Sequence, residues 1–457
     1  MTELSESIPD PSPESPEPKR PRDRTSIFNT LSVVMLVATV ALLCFYLTIA
    51  INPQLFINPF PPPLPPTRWP TLPPLPTPTN TGTPTPYSPP TWTPIVPPTD
   101  VPTPTPRPLA YWAVEDITIG YPIEQIEVAG TYEQIGYAFG EWYRRQRFAA
   151  RSFTDDEQAK AQEVLALYGD VHPGTVEQMR GIYDAFNLDM DDVSHGIPVW
   201  KSWWRFLLPG LVENPACSVA FARPETTSDG HARLGRNNDW AVSMPDTTLL
   251  FTYPEGAYAN VVMTVGAPNF TAFDGMNSRG LALGIAAVEN AGYTPTTPSL
   301  VDIHVYRIVL ETCADVDEAI EFLSAVPFAF SPEFGTHVLL ADRGGDSAVV
   351  EFLPEGVVVS RTDTPYQVMT NSHWAGPADQ PEDSRYQTTV AMLEDGQGEM
   401  DTEGMMAVMA ETHASTQWTI VYDLQDQTLT LALPNDGFSS RYTFSLAEFV
   451  ARVESQQ

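Results

Sequence analysis

Residues 52–108 hold about half of the chain's 47 prolines, interleaved with threonine in runs such as PTPTNTGTPTPYSPPTWTP. Proline has no backbone N–H and a fixed φ, so this stretch can build neither a helix nor a sheet ladder. It reads as an extended, disordered polyproline-II stalk, or as a Pro-rich ligand for a recognition domain. Either way it divides the chain into a short N-terminal part and a long C-terminal part that must fold for separate reasons.

The short part has two pieces. Residues 1–26 are polar and end in the basic cluster Lys19, Arg20, Arg22 and Arg24. Ile27 to Ile51 then reads IFNTLSVVMLVATVALLCFYLTIAI, with no charged residue. A bilayer span needs roughly 20 apolar residues. The basic flank is expected to stay in the cytoplasm and to send the C-terminus out. A cleaved signal peptide is the alternative. The run is long for an h-region and lacks a clear small-residue cleavage site, which favours an uncleaved anchor. The expected order is a cytoplasmic tail at 1–26, a transmembrane helix at 27–51, the stalk at 52–108 and a globular domain at 109–457. The expectation is therefore a single-pass type II protein of the cell membrane with its domain outside the cytoplasm.

Charge and cysteine content exclude several functions. A net charge of -33 and a pI near 4.3 argue against a phosphate-binding surface, so nucleic acid is not an expected partner. The three cysteines are Cys44, Cys217 and Cys313; two lie in apolar or helical runs, and no disulfide framework is visible. No paired-cysteine zinc pattern or His-Glu-X-X-His helix occurs, so a metal site has no sequence support; no organic cofactor is implied either.

From Leu109 onward regular periodicities appear. Thr131 is placed to cap a helix through YEQIGYAFGEWYRRQ, and helices also fit FTDDEQAKAQEVLALYG and HPGTVEQMRGIYDAFN. After Asn214 strands dominate. ACSVAF and ARLGRNNDW pair through an Asp229-Gly230 turn, and further pairs are TTLLFTY with ANVVMTV, HVLLAD with AVVEFL, and TIVYDL with TLTLAL. Helices fit VDIHVYRIVLETC, DVDEAIEFLSAV, SRYQTTVAML and TEGMMAVMAE. Grouped helices and many hairpins predict an α+β layered domain with antiparallel sheets.

Taken alone, Cys217 in ENPACSVAF reads as a buried packing residue. Its surroundings change that reading. GTYEQIGYAFG, VEQMRGIYDAFNLDMDDV, PACSVAF, LGRNNDW, FDGMNSRGLALG, VMTNSHW and WTIVYDLQDQTLTLAL follow one another in that order. Together they resemble the N-terminal-nucleophile hydrolases of the penicillin (acyl-CoA:6-aminopenicillanic acid) acyltransferase type, whose relatives include choloylglycine hydrolases and acid ceramidases. The resemblance implies a four-layer αββα sandwich at 109–457 and an amidohydrolase or acyltransferase acting on a non-peptide C–N amide bond. The implied partner is a small amide or acyl donor. The chain is expected to cut itself at Ala216–Cys217, leaving Cys217 as nucleophile and its α-amine, with a pKa of about 7.7–8, as base.

By the same resemblance Arg236 and Asp239 position charge beside the sulfur, Asn371 donates to the oxyanion, and Arg385 completes the cluster. Their plainer readings are a sheet ion pair, a turn asparagine and a solvent-facing helix arginine. The sequence departs from the relatives at several places. Ala216 and Ser218 stand where Gly and Thr are common around the nucleophile. The second asparagine of bile salt hydrolases falls near Ala287, with Asn290 close by, and His413 replaces an Arg before the closing hairpin. Two rival functions remain open: an uncut thiol hydrolase recruiting a histidine such as His373, or an inactive stalk-mounted binding module. Asn269-Phe270-Thr271 also fits a glycosylation acceptor pattern.

Overall fold

The computed structural model describes residues 35, 39, 111–116, 123–191, 193–196, 216–240, 247–265, 268, 270–293, 299–330, 334–373, 383–396 and 399–456. The described residues from Tyr111 onward belong to one compact unit, Asp100–Gln457. Met35 and Thr39 are helical, and the Thr39 hydroxyl donates to the Met35 carbonyl at 2.8 Å. The rest of the apolar run at 27–51, the stalk and Asn269 lie outside the described residues. Among the described residues no helix is long and apolar enough to cross a membrane.

The C-terminal unit is α+β. Its principal strands are β1 (Tyr111–Asp116), β2 (Ile123–Gly130), β3 (Ser218–Ala222), β4 (Arg233–Asp239), β5 (Thr247–Pro254), β6 (Asn260–Val265), β7 (Asp274–Asn277) and β8 (Leu281–Glu289). They continue with β9 (Phe334–Asp342), β10 (Ser347–Leu353), β11 (Gly356–Ser360), β12 (Tyr366–Met369), β13 (Thr416–Asp423), β14 (Thr428–Ala432) and β15 (Tyr442–Ser445). The helices are α1 (Tyr132–Arg145), α2 (Asp155–Val171), α3 (Pro173–Ala185), α4 (Asp302–Thr312), α5 (Val316–Ala325), α6 (Ser384–Asp395), α7 (Thr402–Glu411) and α8 (Leu446–Glu454).

Nine strands form one sheet in the order β1-β2-β5-β6-β7-β8-β9-β10-β11, and six form another, β12-β3-β4-β13-β14-β15. In the larger sheet β2 and β5 run parallel, and its other pairs are antiparallel. α4 and α5 pack on the larger sheet, α6 and α7 on the smaller, and β8 packs against β3 and β4. A strand covered on both faces needs apolar residues throughout rather than alternation. β8, LALGIAAVE, is buried from Leu281 to Val288 for this reason.

Local signals set the ends of the helices. Thr131 and Gln134 make a reciprocal capping box at α1, and Thr154 and Glu157 make another at α2. Each satisfies two orphan backbone donors. α1 and α3 approach so closely that a Cβ at Gly136 would lie 1.8 Å from the Gln178 carbonyl oxygen, and one at Gly181 1.9 Å from that of Glu133. Only glycine permits that contact.

Two features differ from the sequence expectation. The β3–β4 connection is longer than a tight hairpin: a 3₁₀ turn at Pro224–Thr226 precedes the Asp229-Gly230 bend, where Gly230 has φ +77°. β15 and α8 extend the domain past the expected closing hairpin. Ser445 caps α8, which buries Leu446, Phe449 and Val453.

Candidate active site

The site is built where β3 and β4 run antiparallel. Ser218 pairs with Asn237 and Val219 with Arg236, and the ladder reaches back to Ala216, whose N–H donates to the Asp239 carbonyl at 3.4 Å. This register places Cys217 across from Asn238. Strand alternation turns Arg236 and Asn238 toward the larger sheet and Asn237 toward α7. Accordingly the Asn237 amide donates to the Met409 carbonyl at 2.7 Å and the Thr412 hydroxyl at 3.1 Å.

Arg236 is fully buried and uses all three of its nitrogens. Nε donates to the Ile285 carbonyl at 3.0 Å, Nη1 to Asp274 at 2.5 Å, and Nη2 to Asn238 Oδ1 at 2.8 Å. Nη2 also lies 3.9 Å from Cys217 Sγ. Gly284 on β8 makes room for this side chain, since a Cβ there would sit 3.2 Å from Arg236 Cδ. Asp274 is itself buried and also accepts from Trp418 Nε1 at 3.0 Å and the Tyr422 hydroxyl at 2.7 Å. The arginine therefore sits between one carboxylate, which fixes its charge, and the sulfur, which feels it.

Cys217 is buried, and its thiol is 3.8 Å from the Asp239 carbonyl oxygen. Burial pushes its pKa up, against the pull of Arg236. Asp239 responds in the same direction: burial raises its carboxyl to about 6, although Thr416, Arg385 and Arg236 all pull it down. Thr416 donates its hydroxyl to Asp239 Oδ1, while Oδ2 is buried and has no hydrogen bond among the described residues.

That shift has a measurable consequence. The fold favours the protonated carboxyl, so this group's stabilisation is complete below its ordinary value of 3.8 and is lost as pH rises through about 6. On an uncut Cys217→Ala background, Asp239→Asn should flatten stability across that window. Above pH 6 it should recover on the order of 2–3 kcal/mol, read by urea denaturation at pH 4 and 7. Equal pH slopes in parent and variant would contradict it.

Arg385 enters from the first turn of α6. Asp383 caps that helix, accepting from the Arg385 N–H at 2.9 Å, and pairs with the guanidinium Nη2 at 3.0 Å. Nη1 then reaches the nucleophile's own backbone. It donates to the carbonyl oxygens of Ala216 and Cys217, the latter at 2.8 Å, and to Asn371 Oδ1 at 3.1 Å. Asn371 follows β12 and donates its amide to the Ala287 carbonyl at 2.7 Å. Ala287 thus contributes a main-chain carbonyl.

The structure therefore brings Cys217, Arg236, Asp239, Asn371 and Arg385 to one place. His373 is held elsewhere, by Glu351 at 3.1 Å and the Glu289 carbonyl at 2.9 Å. His413 bonds the Thr419 hydroxyl at 2.8 Å and packs on Phe438. The sequence reading missed Asp274, Trp418, Tyr422 and Asn238. Asp274 and Asn238 lie inside the quoted motifs FDGMN and GRNND, so their position was visible but their buried partnership with Arg236 was not. A separate cluster of Asp229, His231 and Asp423 has metal-ligand types. There Arg233 already donates to both aspartates, at 2.5 and 2.9 Å, so a cation is in place.

Residues 226–384 match the model of the acyl-coenzyme A:6-aminopenicillanic acid acyl-transferase family. The chain is similar to this acyltransferase family. The matched stretch contains Arg236, Asp239, Asp274 and Asn371. The penicillin V acylase of Pectobacterium atrosepticum is 32% identical over 112 residues, which cover 22% of this chain and 30% of that protein's length. Among solved structures, penicillin V acylase from Agrobacterium tumefaciens is similar at 19% identity and a TM-score of 0.41, covering 51% of this chain and 87% of its own. A variant of conjugated bile acid hydrolase from Clostridium perfringens follows at 17% identity and a TM-score of 0.41, covering 50% and 93%.

Proposed function

We propose that the protein is a cysteine amidohydrolase or acyltransferase of the N-terminal-nucleophile kind, with the αββα layering of that fold, and that it cuts itself before Cys217. The observation that carries this reading is the convergence on Ala216–Cys217: Arg236 beside Sγ, and Arg385 Nη1 on the Ala216 carbonyl. A guanidinium on that carbonyl stabilises the negative charge that develops when sulfur attacks its carbon.

In the first reaction Sγ bonds to the Ala216 carbonyl carbon as the C–N bond breaks, and the nitrogen takes up a proton. Water then cleaves the thioester, leaving a new carboxylate at Ala216 and a free α-amine and thiol at Cys217. Asp239, whose buried Oδ2 has no hydrogen bond among the described residues, is suited to hold the new amine. In the second reaction that amine takes the thiol proton and sulfur attacks a substrate amide. Asn371 and Arg385 lie beside the departed Ala216 carbonyl and face the substrate's developing oxyanion. The amine product leaves with the proton, and the Cys217 thioester passes its acyl group to water or to another amine. By this reading the substrate is a small non-peptide amide. The uncharged run at 27–51 and its basic flank support a single-pass anchor at the cell membrane, with the stalk at 52–108 carrying the catalytic domain outside the cytoplasm.

The full-length protein on a denaturing gel tests this directly. Two fragments are expected, the C-terminal one beginning at Cys217, with thiol-dependent hydrolysis of some member of a panel of N-acyl amino acids, fatty amides and β-lactam side-chain amides. A whole chain that hydrolyses amides would mean an uncut thiol enzyme. A whole and inert chain would mean a binding module.

A further inference from the structure

The turn that carries Asn371 is anchored at successive residues. Just before it, the Thr370 carbonyl accepts from His337 Nε2 at 2.6 Å. Asn371 itself donates its amide to the Ala287 carbonyl. At His373, Nε2 meets the Glu289 carbonyl at 2.9 Å and Nδ1 meets Glu351 Oε1 at 3.1 Å. The turn therefore runs along the end of β8, with Asn371 matched to Ala287 and His373 to Glu289. His337 reaches it from the face of β9 turned away from α4, since the neighbouring Thr336 bonds Tyr306 and Asp302 of that helix.

The contacts of His373 select its protonation state. Its two ring nitrogens face a carboxylate and a main-chain carbonyl, both of which accept. A neutral imidazole carries one N–H and sets the lone pair of its other nitrogen against an oxygen; only the imidazolium donates to both. Glu351 is fully buried and needs a counter-charge. The titratable groups facing His373 are Glu351 on β10, Glu289 at the end of β8 and His337 on β9, whose ring centroid lies 6.2 Å away. His337 Nδ1 is 3.5 Å from the same Glu351 oxygen. The bond to Glu351, helped by the Glu289 carbonyl, holds the His373 pKa above its ordinary 6.5 against the effect of burial. Both bonds are therefore present at lower pH, and one is lost as pH rises through that raised value.

We infer that the His373 imidazolium is a positioning residue that latches the Asn371 turn to β8 and β10 and releases it on losing its proton. The inference rests on the amidase reading given above and adds the device that places its oxyanion donor. Ala287 takes one amide hydrogen of Asn371 and Arg385 fixes Oδ1, so the second hydrogen is the one offered to the substrate oxygen. Its aim depends on where the turn lies, and a misplacement of about 1 Å can cost about a hundredfold in rate. A neutral His373 gives up either Glu289 or Glu351, and the turn loses that anchor.

The test is the pH profile of kcat for the processed enzyme on the best amide of the panel. Wild-type kcat should fall about tenfold along an alkaline limb above pH 6.5, with KM little changed. The Cys217 amine titrates in the opposite sense, gaining activity as it loses its proton, so the two limbs are separable. His373→Gln should lower kcat about tenfold at the optimum and abolish the alkaline limb. Glu351→Gln keeps the shape but removes the charge that holds the proton on His373, and should move the limb to lower pH. A protein merely loosened by either change would lose rate without moving a limb. A wild-type profile with no alkaline limb, or a limb that stays in place in His373→Gln or Glu351→Gln, overturns the inference and leaves the amidase reading standing. The wild-type profile needs no variant to fold. A wild-type chain that stays whole and hydrolyses no member of the panel overturns both readings.

Discussion

A Cys217→Ala chain should stay whole and hydrolyse no amide, with any residual rate down by about a million-fold, as found when the nucleophile of a comparable acyl-transfer enzyme is removed. Two losses come from one side chain because sulfur is assigned both attacks. Intact mass measures the first and a thiol-dependent amidase assay the second. Two fragments divided at the same place in Cys217→Ala would show that the thiol is not the agent of cleavage. Retained hydrolysis would remove Cys217 from the mechanism altogether. Stability should change little, since the variant gives up only a buried thiol whose contacts, at 3.8 and 3.9 Å, are long.

Asp274→Ala should have the largest effect on stability. It leaves the Arg236 guanidinium, 1% exposed, without the carboxylate 2.5 Å from Nη1. Removing one partner of a buried ion pair costs about 3–5 kcal/mol, mostly through the stranded charge. Trp418 and Tyr422 would also lose their shared acceptor. Asp274→Asn, which keeps an acceptor and the shape, should cost less. Arg236→Met combined with Asp274→Leu should be less damaging than Asp274→Ala, because no charge is left behind. Denaturant midpoints on the uncut background measure all three. A loss under about 1 kcal/mol in Asp274→Ala would mean that Arg236 finds another counter-charge or water.

How far the sequence could be read varied with the kind of interaction. Helices α1 and α2 were legible because a Thr followed three residues later by Gln or Glu caps a helix through contacts within one turn. The strand pairs were legible because turn residues separate them by short intervals. α8 was not, since it sits beyond the hairpin that closes the recognised motif series. The Arg385 side chain shows the limit most clearly. In the sequence it is a helix arginine 168 positions from Cys217, and whether it faces water or the site depends on where α6 lands on the smaller sheet.

By itself the sequence determined that a Pro-rich segment separates an apolar N-terminal run from an α+β domain, and that motifs in a fixed order resemble one family of amide-processing enzymes. Composition, capping and periodicity act locally, so one chain suffices to read them. The tertiary structure alone decided which groups meet. Two sheets packed through β8 set Asp274 against Arg236, α6 brought Arg385 to the Ala216 carbonyl, and the β3–β4 register put Asn238, bonded to Arg236, across from Cys217. These contacts join residues far apart in the chain, and no local pattern encodes the burial that gives them their chemical force.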